Sequence, residues 1–146
     1  MKKATLLART LASCVVAFVA ASAQAQTLPE GNIGINYSRC DGNYDKWGLH
    51  AWKNPGIPLP GIEWPRPMEP TGKGDFGVYW HLPLAEFGNS GTVNYIIHLG
   101  DSKEQGGRDM KFDGKAIKEI WVNSGDRKTY FSLAEAQAAR AENPCK

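Results

Sequence analysis

Two ring side chains, His50 and Trp52, lie one residue apart in a segment of strand-like alternation. Because side chains alternate across a strand, these rings share the face opposite the core set of Trp47, Leu49 and Ala51. Rings at positions i and i+2 lie roughly 6.5–7 Å apart. An exposed indole offers a flat apolar surface for the C–H face of a sugar ring. The pair therefore indicates a platform for two neighbouring pyranose units, and the alternative role for a strand Trp is core packing.

Three histidines, His50, His81 and His98, lie opposite the apolar sets of their strands, so a cluster of imidazoles is geometrically possible. No cysteine joins them at the spacing of a metal site, and the chain has no H-E-x-x-H motif. We therefore expect no metal and no other cofactor.

Two acid pairs, Asp41 with Asp45 and Asp101 with Glu104, have residue types that a glycosidase uses. Aspartate is also favoured in turns, where its side chain bonds to nearby backbone. The chain has no G-x-S-x-G motif for a serine nucleophile. We expect no catalytic residues, and a small hydrolase is the least favoured hypothesis.

Short strands must position these side chains, because apolar and polar residues alternate along most of the chain after Gln26. Residues 54–70 form a loop with six prolines and two glycines, and residues 100–111 form a polar loop. Residues 133–142 favour a helix with Ser132 as its N-cap. The pattern predicts an all-β antiparallel sandwich with a short C-terminal helix. The predicted strands are residues 33–37, 47–52, 76–82, 92–99, 117–122 and 129–131.

The N-terminus has the layout of a secretory signal peptide, with lysines, an apolar run over residues 11–21 and the cleavage motif A-Q-A at 23–25. The run is shorter than the about 20 apolar residues of a membrane span. The segment L-A-S-C ending at Cys14 resembles a lipoprotein signal, but the apolar stretch lies mostly after Cys14. We expect residues 1–25 to be removed and residues 26–146 to form one periplasmic or secreted domain.

Removal of this signal changes the charge balance. The chain has 17 basic and 15 acidic residues, and losing Lys2, Lys3 and Arg9 leaves 14 basic against 15 acidic. A near-neutral domain lacks the excess of Lys and Arg that nucleic acid or an anionic membrane requires. We expect a monomer with neither nucleic acid nor, after cleavage, a membrane as its partner.

Two cysteines, Cys40 and Cys145, remain in a compartment that permits disulfides. A bridge between them closes a loop of about 100 residues, which the chain-entropy model values at about 4.7 kcal/mol before strain is subtracted. We predict this bridge, and the alternative is two unpaired thiols.

Residues 41–52 read D-G-N-Y-D-K-W-G-L-H-A-W. This segment resembles the opening of the pullulanase-associated domain, carbohydrate-binding module family 41, whose pattern reads roughly D-G-x-Y-D-G-W-G-L-W-x-W. The resemblance spans about residues 33–131, with motifs in the family's order and at about its spacing. The other matching motifs are E-W-P at 63–65, T-G at 71–72, D-F-G at 75–77, N-Y-I-I-H at 94–98, G-D-S-K at 100–103, E-I-W-V at 119–122 and G-D at 125–126.

The resemblance implies an immunoglobulin-like β-sandwich that binds α-glucans such as pullulan, starch or glycogen. In the family, two Trp at i and i+2 stack on glucose units. A Lys and an Asp from a later loop form hydrogen bonds with the sugar hydroxyls. The second stacking residue is then Trp52 and the lysine is Lys103. His50 replaces the first Trp with a smaller ring that gains charge in acid. The acid is assigned to Asp109, one residue beyond the family position, with Glu104 as the alternative. Without the resemblance, this loop is a solvated turn of mixed charge.

We therefore expect an exported α-glucan-binding module without catalytic activity. It is far shorter than the roughly 250 residues of a (β/α)8 barrel, the scaffold of most α-glucan hydrolases. Its expected partners are an α-glucan oligosaccharide or polysaccharide and a separate glycoside hydrolase. The alternative is a periplasmic protein-interaction or inhibitor module with a degenerate sugar site, which the histidine at position 50 favours.

Overall fold

The computed structural model describes residues 26–145, so the predicted signal peptide and the alternative lipid attachment at Cys14 lie outside the described residues. In this described part of the chain, two sheets and one α-helix form the fold, which confirms the predicted all-β sandwich. Within residues 26–145, no helix is long and apolar enough to cross a bilayer. The elements are β1 (Asn32–Ser38), β2 (Gly48–Lys53), β3 (Ile57–Pro58), β4 (Gly72–Lys73), β5 (Val78–Pro83), β6 (Thr92–Leu99), β7 (Ser102–Lys103), β8 (Met110–Asp113), β9 (Glu119–Asn123) and α1 (Leu133–Glu142), with 3₁₀ turns at Leu84–Phe87 and Gln105–Gly107.

The two sheets differ in strand order. One has four strands in the order β4-β5-β1-β9, and the other has β3-β2-β6 with both β7 and β8 paired to β6. Among the strands of residues 26–145, all pairs are antiparallel except β1 and β9, which run parallel with Ile35 opposite Ile120. The chain reaches β9 by crossing from one sheet to the other, so this pair needs no tight hairpin turn. The sandwich is therefore mixed at one edge, where the sequence predicts antiparallel pairing alone.

The core lies between the two sheets and takes alternate residues from each long strand. Trp80 on β5 is fully buried, and its indole N–H donates to the carbonyl of Met68 at 2.9 Å. Burial of these apolar side chains is the main favourable contribution to folding. The remaining residues of the same strands form two outer faces, one on each sheet. The core residues of β1, β2 and β6 are Ile33, Ile35, Tyr37, Leu49, Ala51, Val93, Tyr95 and Ile97.

The proline-rich loop of residues 54–70 is packed more closely than the predicted surface loop. It contains β3, and Leu49 of β2 forms a further bridge with Met68. Leu59 and Ile62 are only 4% and 5% exposed. The loop therefore closes over part of the core and holds a fixed position beside β2.

The two other irregular segments also differ from the prediction. Residues 100–111 turn back onto β6 through β7 and the start of β8, so this loop is hydrogen-bonded to the sheet. Residues 129–131 contribute one bridge, between Tyr130 and Trp121, instead of a strand.

The C-terminal helix has the predicted bounds and the predicted cap. The Ser132 hydroxyl accepts a hydrogen bond from the backbone N–H of Glu135 at 3.2 Å, and Ala136 is buried. After the helix, Cys145 forms a disulfide with Cys40, with 5.4 Å between their Cα atoms. The predicted bridge is therefore present, and it ties the end of the chain to the turn after β1.

Candidate functional site

The outer face of the five-stranded sheet carries His50 and Trp52 on β2. The strand register places His50 beside Ile96 and Trp52 beside Asn94 on β6. Both rings are half-buried, while Ile96 is 5% exposed. The rings therefore stand on an apolar floor and face away from the core, as the alternation of β2 predicts.

The His50 and Trp52 rings are close together but not coplanar. Their centroids lie 5.8 Å apart and their planes meet at 44°. The separation is slightly less than the roughly 6.5–7 Å repeat of a strand, because the rings lean toward one another. The pair is a bent platform.

A third ring, Trp64 of the proline-rich loop, completes this surface. Its indole stacks on His98 with 3.9 Å between centroids and 8° between planes, and it meets His50 edge-on at 5.5 Å. The indole N–H also donates to Asp101 at 3.4 Å. Sequence reasoning missed Trp64 as a site residue, although the E-W-P motif at 63–65 marks it as an aromatic residue in a loop.

A groove is lined by Trp64 and by the pair on β2, and its lining includes one of the predicted polar residues. Asp109 lies on its rim, while Lys103 lies farther along, with Nζ 4.9 Å from the centroid of the Trp64 ring. Neither residue takes part in the ion pairs found among residues 26–145. The groove has a volume of about 240 Å³ and is lined by His50, Trp52, Gly56, Pro58, Trp64, Ile96 and Asp109.

Glu104, the alternative acid, does not belong to this surface. Its side chain is buried, accepts a hydrogen bond from the Tyr37 hydroxyl and also accepts from the backbone N–H of Gly125 at 3.0 Å. Arg39 approaches the same carboxylate at 3.4 Å. Burial, and then the hydrogen bond to Glu104, raises the pKa of Tyr37. Glu104 points toward the interior while Lys103 is exposed, so we leave Glu104 out of the site.

Burial sets the protonation of the platform histidine. It lowers the pKa of His50, the nearby His98 lowers that pKa further, and Asp109 acts in the opposite direction. Within residues 26–145, His50 Nδ1 and His98 Nε2 are buried without a hydrogen-bond partner. The environment therefore favours an uncharged His50 ring, which presents a more apolar surface than a charged one.

The three histidines do not converge on one point. His50 and His98 have ring centroids 6.2 Å apart on the five-stranded sheet, whereas His81 lies on β5 of the other sheet. Among the described residues, no three His, Cys, Asp or Glu side chains are grouped as metal ligands.

Sequence comparison relates this sandwich to parts of much larger proteins. The chain is 32% identical over 112 residues to Pullulanase A of Streptococcus pneumoniae serotype 2 (strain D39 / NCTC 7466), a match covering 70% of this chain and 8% of that protein. It is 36% identical over 70 residues to an alpha-amylase of Streptomyces lividans, a match covering 48% of this chain and 7% of that protein. The chain thus spans less than a tenth of either relative.

Structural comparison and family matching agree with this relation. A solved structure described as "Alpha-glucan recognition by family 41 carbohydrate-binding modules from streptococcal virulence factors" superimposes with a TM-score of 0.59 at 26% identity. The match covers 74% of this chain and 50% of that chain. Residues 31–131, which contain β1 to β9, match the family described as "Bacterial pullanase-associated domain". The chain therefore belongs to the bacterial pullulanase-associated domain family.

Proposed function

We propose that this chain binds α-glucan on the outer face of its five-stranded sheet and does not cleave it. The observation that carries the proposal is the cluster of half-buried rings, His50, Trp52 and Trp64, beside the carboxylate of Asp109, which forms no ion pair with any other residue of 26–145. The similar solved modules are described by their α-glucan recognition. Aromatic platforms with a few polar groups at the rim suit a pyranose, because its C–H faces are apolar and its edge carries hydroxyls.

In this proposal, the bent platform follows the curvature of an α-linked chain. Trp52 stacks on one glucose unit, and the smaller His50 ring contacts the next unit. Asp109 accepts hydrogen bonds from sugar hydroxyls, while Lys103 donates to them from its position beside Trp64. One or two stacked rings correspond to dissociation constants on the order of millimolar to micromolar, or about −4 to −8 kcal/mol.

The contacts of the acidic residues support a role without catalysis. Asp41 forms an ion pair with Arg39 at 2.6 Å and accepts from the backbone N–H of Asn43, so it serves the turn after β1. Glu104 is held by Tyr37 and Gly125. Asp41 and Glu104 each belong to one of the two acid pairs considered for glycosidase chemistry. One carboxylate of each pair is therefore bonded within the fold.

We also propose that the protein acts in the periplasm or outside the cell as a monomer. The Cys40–Cys145 disulfide supports an oxidising compartment. The predicted signal peptide supports export. Fractionation of cells that express the full chain tests this point, and mass spectrometry of the exported protein should give an N-terminus at Gln26.

Calorimetric titration with maltotetraose, matched against β-linked cellotetraose, tests the binding proposal. We expect heat and a shift in Trp fluorescence with maltotetraose and at most a tenth of the affinity for cellotetraose. Absence of heat and of a fluorescence change with maltotetraose would refute the proposal. Reducing-sugar release from pullulan, measured in parallel, would refute the absence of catalysis.

A protein-interaction or inhibitor module is the second candidate, and the imidazole at position 50 is the observation that favours it. His50 offers less stacking area than the Trp of the family pattern. This candidate predicts that retention in a starch-containing native gel is weak and unchanged when Trp52 is substituted. The α-glucan proposal predicts that retention depends on Trp52.

A further inference from the structure

A wider groove shares Trp64 with the groove that is lined by His50 and Trp52. Its volume is about 1080 Å³, against about 240 Å³ for the first groove. It runs between the turn before β2, the proline-rich loop and the turn after β6. The lining residues that matter here are Tyr44, Trp47, Trp64, Pro65, Glu69 and Asp101.

The walls of this wider groove are apolar and held in place by the fold. Trp47 packs against Tyr37 with 5.8 Å between ring centroids, and the Arg39 guanidinium lies 4.2 Å from the Trp47 ring. The Tyr44 hydroxyl accepts from the backbone N–H of Arg39 at 3.1 Å. Pro65 has a fixed φ. A groove with preset walls loses little conformational entropy when a ligand enters it.

The rim of the wider groove carries polar groups of both signs. Asp45, Lys46 and Glu69 are exposed there, and none of them takes part in the ion pairs found among residues 26–145. These groups offer donors and acceptors without a strong excess of either charge. Apolar walls with such a rim suit a neutral polyhydroxyl chain better than a polyanion.

Trp64 connects the two grooves, because it is a lining residue of both. Asp101, which accepts from the indole N–H, lies in the wider groove. Lys103 lies beside the Trp64 ring and is absent from the lining of both grooves. Asp101 and Lys103, which follow β6, therefore both lie beside Trp64.

We infer that a bound α-glucan crosses Trp64 and continues into the wider groove, so that the site takes a longer chain than the His50–Trp52 pair supports. This inference rests on the proposed function and adds a chain-length preference to it. Trp64 then lies at the centre of the site, and Trp47 forms the far wall.

Parallel titrations with maltotriose and maltoheptaose, followed by calorimetry and by the indole N–H resonances in ¹H–¹⁵N spectra, test this inference. We expect maltoheptaose to bind about tenfold more tightly, or more. The Trp52 resonance should shift with both sugars and the Trp47 resonance with maltoheptaose alone, each assigned by substitution with Phe. Equal affinities for the two sugars, with a Trp47 resonance that does not shift, would overturn the inference and leave the proposed function intact. No response to either sugar would overturn both.

A rim variant provides a second readout that does not disturb the core. The double substitution Asp45→Ala and Glu69→Ala should lower maltoheptaose affinity about threefold or more and leave maltotriose affinity within about twofold. Glu30→Ala with Glu86→Ala removes the same charge from exposed positions outside both grooves and should change neither affinity. If the rim variant matches this control, or weakens both sugars equally, the glucan does not enter the wider groove.

Discussion

The two outer faces of the sandwich carry similar residue types but differ in how those residues are engaged. On the four-stranded sheet, the rings of Tyr79 and His81 lie 4.7 Å apart, closer than His50 and Trp52 on the five-stranded sheet. Trp121 lies on β9 of the same four-stranded sheet. An aromatic pair at i and i+2 therefore occurs on both faces and does not by itself identify a binding site.

The polar groups separate the two faces. On the four-stranded sheet, the Gln26 amide N–H group donates to Asn36 at 3.2 Å and lies 3.0 Å from His81 Nε2, while Asn36 approaches Glu119 at 3.4 Å. The polar side chains at the centre of that face are thus bonded to one another. Beside the five-stranded sheet, Asp109 immediately precedes β8 and remains outside the ion pairs of the described residues. A polar side chain that the fold does not pair can bond to a ligand. It is therefore a better indication of a binding site than an aromatic pair alone.

Removal of one indole from each face gives the largest expected difference. Trp52→Ala should weaken α-glucan binding about 10- to 100-fold, or about 1.4–2.8 kcal/mol, because it removes a stacking platform. Trp121→Ala, the matched control on the other face, should change affinity less than about twofold. Calorimetric titration with maltotetraose measures both. Equal weakening by the two variants would show that the distinction between the faces is wrong.

Alanine substitution of a glycine on each outer face should give the next largest effect, measured as a loss in the free energy of unfolding. A Cβ at Gly48 would lie 2.6 Å from Pro67 Cγ and 3.1 Å from the carbonyl of Met68, so Gly48→Ala must displace the loop that carries Trp64. We expect a loss of about 1–3 kcal/mol in the free energy of unfolding, together with weaker binding.

Gly34→Ala on the other face is the control for Gly48→Ala. A Cβ there would lie 3.0 Å from Cγ of the flexible Glu119 side chain, which can move. We expect a change below about 1 kcal/mol and no effect on binding. Urea denaturation compares the two variants, and equal losses would show that the loop is not braced against Gly48.

Acid should affect the two faces in different ways, although burial lowers the pKa of a histidine on each. The unfolded chain protonates these rings near the ordinary pKa of about 6.5, above their folded values. The contribution of these uncharged rings to the free energy of unfolding is therefore fully present above about pH 6.5 and is lost as the pH falls through their lower folded pKa values. Protonation of His50 should also weaken α-glucan binding severalfold, whereas protonation of His81 should not affect that binding.

His50→Phe and His81→Phe separate these effects of acid. The first should remove the acid dependence of maltotetraose affinity, and the second should leave that dependence unchanged while reducing the acid dependence of unfolding. Titrations and urea denaturation at pH 7 and pH 5 measure them. An acid-sensitive affinity in the His50→Phe variant would contradict this assignment.

Loss of the Gln26 side chain should have the smallest effect. Gln26→Ala removes two contacts, to Asn36 and His81, and should lower the free energy of unfolding by about 0.5–1.5 kcal/mol. α-Glucan affinity should stay within about twofold, because the contacts lie on the four-stranded sheet. A weakened affinity for maltotetraose would place part of the site on that face.

The regular elements could be predicted because their patterns are local. The bounds of residues 92–99 and 133–142 agree with β6 and α1, since alternation and capping depend on neighbouring residues. The parallel pairing of β1 with β9 could not be predicted in this way. A strand pattern shows which face is apolar but does not name the partner strand or its direction.

The candidate site was predictable where a strand supplies it and not where a loop does. His50 and Trp52 follow from the alternation of β2. Trp64 reaches the site only because the proline-rich loop folds back along β2, and Glu104 leaves it because its carboxylate bonds to Tyr37 in the interior. Both placements depend on contacts between residues distant in sequence, which no local pattern contains.

The Cys40–Cys145 disulfide also decides what a protease would release. The bonded cysteines are 105 residues apart, so the proline-rich loop and both grooves lie within the covalent ring. One cut in that ring leaves the two fragments joined, and the rings of the site stay on the same molecule. A nicked protein should therefore migrate as one species without reductant and as two fragments with it.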